Sequence, residues 1–433
     1  MALSRTGLAA ACWLLVAWLA PGQPALRELY RWKQVDLLYP SRAARAAAEA
    51  SGELVPGNNL PLGLEVWRDR VFVTLPRWKP GVPATLAYVP RSGEGPSPLL
   101  RAWPDWDSQN SSDCRGLTSV FRVAADPCGR LWVLDSGLVD IATGSPEQRC
   151  PPQLLVFDLD DDSLVHRYEL PADQVLDGSL FATLAVDVRG GRCDDAHAYL
   201  ADVARYGLVV YRLRDDTSWR VSHPFFYPDP ASCRFELHGV VFRWTDGVFG
   251  LSLSPEKAPD GDRTLYFHPM SGDKEYAVPT SVLRNRTAAE DDAGADAFVR
   301  LGEPRYPSRA QASASAMDRR GVMFYNLVTR DAVGCWNSGQ PRGHVPDLQG
   351  VAAADAETLR FPNDLKVDQE ERQSVWVLSD RLPGYLYGRL DPGDFNFRVL
   401  TGFADELTRG TVCDPDHVDA GPPDVGNRLG CPA

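Results

Sequence analysis

His238 and Asp364 are the two residues of this sequence best suited to transfer protons. Histidine changes its charge near neutral pH and can act as a base or an acid, and a well-placed carboxylate can take up a proton. Both residues stand at the predicted start of a strand, so we predict that they lie at one catalytic site. A structural role is the alternative for each, because ion pairs that only support a fold also perturb such groups.

A set of small polar residues also stands near the predicted starts or ends of strands. Their hydroxyl and amide groups would converge around one small molecule if the strand starts met at one opening. The predicted ligand-binding residues are Asn59, Ser119, Thr183, Ser313, Ser315, Asn326 and Asn363. The alternative is that these groups only hydrate a solvent-filled channel or cap loops.

Two acidic stretches could suggest a metal site. Asp158, Asp160 and Asp162 have part of the spacing of a calcium loop, but Ser163 stands where that loop requires glycine. Residues 194–197 are better explained as a charged surface turn. The sequence also contains no phosphate loop and no motif of a serine hydrolase or zinc protease. We therefore expect neither a metal nor a cofactor.

The elements that would position these residues come from a repeat. An acidic or polar turn, usually with a glycine, is followed by a short apolar run that is typical of a buried strand, and a polar residue then ends it. This pattern occurs six times, at residues 67–75, 126–137, 188–202, 244–253, 317–326 and 367–380. A repeat of this kind indicates an array of similar units.

The repeats predict an all-β fold, a six-bladed β-propeller with four antiparallel strands per blade around a central channel. The propeller domain is expected over residues 23–408, with segment 26–39 completing the last blade. A pair of sandwich domains is the rival architecture, but it predicts a composition break at mid-chain that the sequence lacks.

Strand positions within some units are expected from the apolar runs. In unit four the strands are predicted at 239–244, 248–253, 264–268 and 275–278, with His238 at the start of the innermost one. In unit six they are predicted at 364–367, 375–378, 385–389 and 396–400. Residues 337–358 are expected to form a long polar connection after unit five, and residues 287–296 a solvated loop.

The beginning and the charge of the chain suggest export. Residues 1–22 have the charged start, apolar middle and small residues of a secretory signal peptide. The net charge of −13 argues against nucleic acid and membrane surfaces as partners. Asn110 and Asn285 begin glycosylation sequons in polar stretches. The tail, 409–433, is rich in Pro, Gly and Asp and is expected to be partly disordered.

Eight cysteines follow the signal segment, an even number that suits disulfides in an exported protein. Cys128 and Cys193 lie in the first turns of adjacent units, on the same face of a propeller. Cys114 and Cys150 lie in loops at the opposite face. We therefore predict the pairs Cys128–Cys193 and Cys114–Cys150. The sequence does not indicate how the remaining four cysteines pair: Cys233, Cys335, Cys413 and Cys431.

Several long motifs, found in order from Trp32 to Cys413, resemble those of the yellow / major royal jelly protein family. They include Cys128-Gly-Arg-Leu-Trp-Val-Leu-Asp135, Cys150-Pro-Pro-Gln, Thr245-Asp-Gly-Val-Phe-Gly250, Arg263-Thr-Leu-Tyr-Phe-His-Pro269, Val333-Gly-Cys-Trp336 and Phe361-Pro-Asn-Asp-Leu-Lys-Val367. The resemblance implies a secreted six-bladed propeller.

Activity differs among members of this family. Some are linked to pigmentation and convert dopachrome, some bind biogenic amines in the channel, and others are nutritional, so the fold alone does not select among them. The resemblance implies a small catechol or indole amine derivative as the partner. Conversion of dopachrome requires a base and donors to the quinone oxygens, the roles assigned to His238, Asp364 and the polar set.

Overall fold

The apolar runs of the repeat form the strands of six antiparallel sheets in the computed structural model, which describes residues 26–92, 95–257, 261–305 and 310–417. Each sheet has four strands, and the innermost strands of neighbouring sheets contact each other all the way round, including the first and the last. The fold is therefore a closed six-bladed β-propeller, as the repeats predicted. The predicted signal segment and residues 418–433 of the tail lie outside the described residues.

The first half of the ring contains blades one to three. The elements that precede and form blade one are β1 (Arg27–Trp32), α1 (Arg42–Ser51), β2 (Gly63–Trp67), β3 (Arg70–Thr74), β4 (Leu86–Pro90) and β5 (Arg101–Ala102). Blade two contains β6 (Val120–Ala125), β7 (Arg130–Asp135), a small hairpin of β8 (Leu138–Val139) and β9 (Glu147–Gln148), β10 (Gln153–Asp158) and β11 (Leu164–Glu169). Blade three contains β12 (Phe181–Asp187), β13 (His197–Asp202), β14 (Gly207–Arg212) and β15 (Thr217–Ser222).

The second half contains blades four to six. A hairpin of β16 (Arg234–Leu237) and β17 (Val240–Arg243) precedes blade four, which has β18 (Val248–Leu253), β19 (Thr264–Pro269), β20 (Glu275–Pro279), α2 (Thr280–Leu283), α3 (Arg286–Glu290), α4 (Asp292–Ala295) and β21 (Val299–Leu301). Blade five has β22 (Ala312–Met317), β23 (Val322–Leu327), β24 (Ala332–Asn337) and β25 (Gln349–Ala354). Blade six has β26 (Pro362–Val367), β27 (Ser374–Ser379), α5 (Leu382–Tyr387) and β28 (Phe397–Phe403), followed by α6 (Ala404–Thr408).

The ring is closed by its first strand. β1 pairs antiparallel with β28, with Trp32 opposite Phe397, and forms the outer edge of blade six. The prediction that segment 26–39 completes the last blade is confirmed. Since one sheet then contains both ends of the propeller, the ring cannot open without breaking that sheet.

The acidic residue of the repeat has a structural task. Asp126 accepts hydrogen bonds from the backbone N–H groups of Cys128 and Arg130, and its Oδ2 lies 2.8 Å from Nε1 of the buried Trp132. In blade six, Asp368 bonds the indole of Trp376 in the same way, at 2.9 Å. The repeated carboxylate thus orders the turn and satisfies a buried indole N–H of the next strand.

Four details of the predicted secondary structure are wrong. In blade four the innermost strand is β18, because residues 240–243 pair only with β16 in a separate hairpin. Residues 382–387 form α5 instead of a strand, and the fourth place in blade six is taken by β1. The supposed polar connection after unit five contains β25, and short helices occupy much of the supposed loop at 287–296.

Both predicted disulfides, Cys128–Cys193 and Cys114–Cys150, are present. A third joins Cys335 to Cys413, so the first part of the predicted tail is attached to blade five. Cys233 is buried and is the one free cysteine of the described residues, and Cys431 lies outside them. None of the helices in the described part of the chain is long and apolar enough to cross a membrane.

Candidate functional site

The main candidate site is a cavity of about 420 Å³ on the face where the innermost strands begin. We call it the mouth cavity. Loops that join the second and third strands of several blades form its rim, through Trp78, Ile141, Val203 and Met270. The sequence predicted a concave site at this end of the ring, and the structure has one there.

Six aromatic side chains line the mouth cavity, together with aliphatic ones. The aromatic residues are Trp78, Phe121, Trp244, Phe249, Phe361 and Tyr387. Trp244 donates its indole N–H to the hydroxyl of Tyr387 and packs edge-on against Phe361. Such a cavity suits a flat, aromatic ligand, because aromatic faces and edges attract one another.

β-bulges place three of the lining residues. The pairing of β6 with β7 shifts between Val120 and Arg122, so Phe121 is the extra residue. The same shift occurs at Phe249 in β18 and at Asn363 in β26. A bulge changes the direction of a side chain that strict alternation would send elsewhere. Strand periodicity alone could not predict which residue of each strand faces the cavity.

Asp246 is the one carboxylate among the described residues that line the mouth cavity. It lies in the loop before β18 and is only partly exposed. Among the described residues its carboxylate has no hydrogen-bond or ion-pair partner, since only its backbone carbonyl accepts a bond, from Ser271. Burial raises the pKa of Asp246 to about 6. An unpaired carboxylate of this kind can attract a cation or take up a proton near neutral pH.

A buried charged network lies behind the aromatic wall. The guanidinium of Arg122 lies over the ring of Phe249, at 4.8 Å from its centre, and Nη1 forms an ion pair of 3.1 Å with Oδ1 of Asp364. Nη2 of Arg122 donates to the backbone oxygen and to Oδ1 of Asn363. Asn363 in turn donates to Asp380, and burial raises the pKa of Asp380 to about 8.

The network connects blade two to blade six and gives Asp364 a structural task. Oδ2 of Asp364 also accepts the backbone N–H of Leu64 in blade one, and its side chain is 1% exposed. Oδ1 also accepts the backbone N–H of Leu365 in blade six, so groups of three blades engage its two oxygens, and Asp364 is not among the residues that line the mouth cavity. The position of Asp364 fits the structural alternative better than the role of a base.

His238 lies outside the mouth cavity. It occupies the turn between β16 and β17 with a left-handed φ of 49°, and its Nε2 lies 3.0 Å from Oδ1 of Asp331. It lines a neighbouring cavity of about 260 Å³ together with Phe361 and Arg381. The structure does not bring His238 and Asp364 together, because the strand that was expected to carry His238 into the channel belongs to a separate hairpin.

The predicted polar set divides in the structure. Asn363 lines the mouth cavity, whereas Asn59 lines a separate cavity beside it. Ser313 donates its hydroxyl to the backbone oxygen of Pro362. The remaining polar side chains are buried and have an atom without a hydrogen-bond partner in the described structure: Ser119, Thr183, Ser315 and Asn326. The expected ring of converging donors is therefore reduced at this cavity to Asn363.

The acidic stretches considered for metals are engaged with arginines. Asp160 and Asp162 form ion pairs with Arg68 and Arg70 of blade one, as a charged turn would. Within the described ranges, no group of three histidine, cysteine or acidic side chains is arranged to hold a metal ion. The asparagines of the two predicted glycosylation sequons, Asn110 and Asn285, are both exposed.

Sequence reasoning missed Asp246. The apolar run 239–244 was assigned to the innermost strand of unit four, which placed residues 245–247 in a turn at the opposite face. Pairing of 240–243 with 234–237 removes that run from the blade and moves Asp246 to the mouth. Four strands were expected in unit four, but the run 239–244 took the place of the first one, and the actual fourth strand, β21, was not predicted.

Comparison with known proteins identifies one matching family and several related proteins. The family model described as "Major royal jelly protein" matches residues 118–413. The chain is 43% identical over 399 residues to a Drosophila melanogaster protein named "Dopaminechrome tautomerase", covering 90% of this chain and 85% of that protein. It is 43% identical to "Protein yellow" of Drosophila yakuba, covering 92% of this chain and 73% of the relative.

The chain is also similar to a solved structure of virginiamycin B lyase from Staphylococcus aureus, with 10% identity and a TM-score of 0.40; the match covers 81% of this chain and 97% of that one. The family match and the relatives above extend over most of the chain. The protein is therefore a member of the yellow / major royal jelly protein family.

Proposed function

We propose that the protein binds a catechol-derived aminochrome in the mouth cavity and catalyses its tautomerisation. The observation that carries this proposal is the unpaired carboxylate of Asp246 inside an aromatic cavity. The relative named "Dopaminechrome tautomerase" supports the same reaction class. A cavity of about 420 Å³ has room for a bicyclic quinone and falls in the usual range of small-molecule sites.

The reaction would move two protons, one from each of two adjacent carbons of the nitrogen-containing ring, to the two quinone oxygens. In each transfer Asp246 takes a proton from carbon, the electron pair of that C–H bond enters the ring system, and one oxygen gains a proton, so that both oxygens end as hydroxyl groups and Asp246 is ionised again. Atoms and electrons balance without an oxidant, because the product is an isomer. A base with a raised pKa near 6 is better matched to this transfer than an ordinary aspartate and is still ionised at pH 7.

Tyr387 is suited to act as the donor to a quinone oxygen. Its hydroxyl oxygen accepts the indole N–H of Trp244, so its own proton remains available for a ligand. Burial raises its pKa, which keeps the hydroxyl protonated. The donor and the base therefore both belong to the lining of one cavity.

Binding of an intact biogenic amine without conversion is the second candidate. An ammonium group would pair with Asp246 and lie against the faces of aromatic neighbours such as Trp244, which attract cations. The same carboxylate favours this function, but as a fixed negative charge instead of a base. A structural or nutritional glycoprotein with an unused cavity is the remaining alternative and needs neither property.

The decisive experiment follows the absorbance of dopaminechrome with the native protein and with the Asp246→Asn variant. We expect native protein to accelerate its loss and Asp246→Asn to lower kcat/KM at least a hundredfold. Asp160→Asn, which removes an exposed carboxylate from a surface hairpin, is the control and should retain the rate. Unchanged conversion by Asp246→Asn would remove this residue from the mechanism.

Calorimetry with dopamine separates the other candidates. Saturable binding that is lost in Asp246→Asn, without any conversion of dopaminechrome, would support the amine binder. Absence of both binding and conversion would leave the structural or nutritional function. Either result contradicts the tautomerase proposal.

We further propose that the protein is exported and glycosylated. The predicted signal segment, three disulfides and two exposed sequons support this. Expression in insect cells should place the protein in the medium, and glycosidase treatment should lower its mass. Asn110→Gln and Asn285→Gln should each remove part of that shift.

A further inference from the structure

A second cavity beside the mouth cavity has the opposite charge. It measures about 260 Å³ and we call it the basic cavity, defined by Lys33, Lys79, Arg389, Asn59 and Tyr385. None of its lining residues carries a carboxylate. The whole chain has a net charge of −13, whereas this cavity is lined by three positively charged side chains and is therefore locally positive.

The three cations are not neutralised by the protein. In the described part of the chain, none of Lys33, Lys79 and Arg389 forms an ion pair with a carboxylate. Of the acids in the neighbouring sequence, Asp36 pairs with Arg45 and Asp394 with Arg381. Asp391 accepts the backbone N–H of Gly393 and forms no ion pair among the described residues. The positive charge of the cavity is therefore available to a ligand.

Lys79 is the most constrained of the three. Its Nζ donates to the backbone oxygen of Tyr385 at 3.1 Å and lies 3.8 Å from the centre of the Tyr385 ring. An ammonium group has three N–H donors, so two remain beyond this bond. Lys79 is partly buried, and that burial lowers its pKa because no anion offsets the lost hydration.

Hydrogen bonds hold the walls of the basic cavity in place. Tyr385 donates its hydroxyl to the backbone oxygen of Asn58, and Asn396 donates its amide to the backbone oxygen of Lys33. Asn59 is buried and donates to the backbone oxygens of Val55 and Gly81. The segments that carry the cations are thus joined to one another before any ligand arrives, which lowers the ordering cost of binding.

We propose that the basic cavity is a binding site for a small oxyanion, a phosphate or sulfate group, either free or as the monoester of a small molecule. Lysine ammonium groups bind such anions as point charges, and arginine adds a planar pair of donors. The site is separate from Asp246 and does not depend on the proposed tautomerase activity.

Titration calorimetry of the full chain with sodium phosphate, at constant ionic strength and pH 7, tests the site. We expect saturable binding at one site, weakened at least tenfold in Lys79→Met and in Arg389→Met. Arg389 is exposed, so its replacement leaves the fold intact even if Lys79→Met is less stable. Lys257→Met, a surface lysine outside the basic cavity, is the matched control and should bind as native protein does.

A parallel titration with phenyl phosphate distinguishes the two sources of the oxyanion. Equal affinity would identify the free anion as the ligand, and tighter binding of the ester would identify a monoester. Phosphate binding should persist in Asp246→Asn, which makes this result independent of the mouth cavity. The proposal is overturned if no saturable binding occurs up to about 10 mM phosphate, or if Lys257→Met weakens binding as much as Lys79→Met.

Discussion

Arg122 of blade two and Asp364 of blade six form an ion pair of 3.1 Å in which both side chains are 1% exposed. The pair connects two blades that are far apart in the sequence but adjacent to the channel. Asp364 also accepts the backbone N–H of Leu64, so blade one is included. The carboxylate of Asp364, which the sequence assigned to catalysis, instead helps to hold the inner strands of three blades together.

Removing one partner of this pair should destabilise the ring. Asp364→Asn leaves the guanidinium of Arg122 buried with reduced compensation, and we expect the free energy of unfolding to fall by about 3 kcal/mol. Denaturant unfolding with the disulfides intact measures the change. In the double variant Arg122→Met/Asp364→Asn the loss should be smaller than the sum of the two single losses. Additive losses would show that the two residues do not act as a pair.

The ionised carboxylate of Asp246 should lower the free energy of unfolding at neutral pH. Its pKa is about 6 in the folded protein and near 3.8 in the unfolded chain, so the folded state binds the extra proton. Because the folded state binds this proton more tightly, the free energy of unfolding is highest below pH 4 and falls as the pH rises through about 6. Asp246→Asn should therefore be more stable than native protein by about 1 kcal/mol at pH 7, after allowance for its partial exposure.

Thermal unfolding of both proteins between pH 4 and pH 8 measures this difference. We expect the two curves to converge at the acid end, to separate as the pH rises from about 4 to about 6, and to stay apart above pH 6. Asp160→Asn, at an exposed turn, serves as the control. A difference that stays constant across this pH range would show that the pKa of Asp246 is not raised in the folded protein.

The proposed reaction should depend on pH through the same carboxylate. Because Asp246 must be ionised to act as a base, kcat/KM should rise with pH and level off above a midpoint near 6. Initial rates of dopaminechrome loss, corrected for the uncatalysed reaction at each pH, give the profile. Residual activity of Asp246→Asn should lack this rise. A native profile that is flat between pH 5 and pH 7 would assign the base to another group.

The repeated acidic turn should contribute to stability in each blade that has it. Asp126→Ala leaves the indole N–H of Trp132 without its partner in a fully buried position, and we expect a loss of about 1–3 kcal/mol. Asp368→Ala should have a similar effect through Trp376. Denaturant unfolding checks both. Replacing Trp132 together with Asp126 should lower the free energy of unfolding little more than replacing Trp132 alone.

Much of the fold was determined by the sequence alone. A turn, a short apolar run and a polar stop, repeated six times, specify strands whose faces must be covered by neighbouring copies, and a ring is the arrangement that covers all of them. The pairs Cys114–Cys150 and Cys128–Cys193 followed from that ring, because alternation of strand direction decides which loops share a face. The closing role of β1 followed from the same requirement.

The composition of the mouth cavity was decided only by the tertiary structure. Bulges at Phe121, Phe249 and Asn363 break the alternation by which a sequence predicts side-chain direction. The pairing of β16 with β17 removed His238 from the ring and brought Asp246 to its mouth. A local apolar pattern indicates that a strand exists, but which partner it pairs with depends on the free energy of the whole sheet.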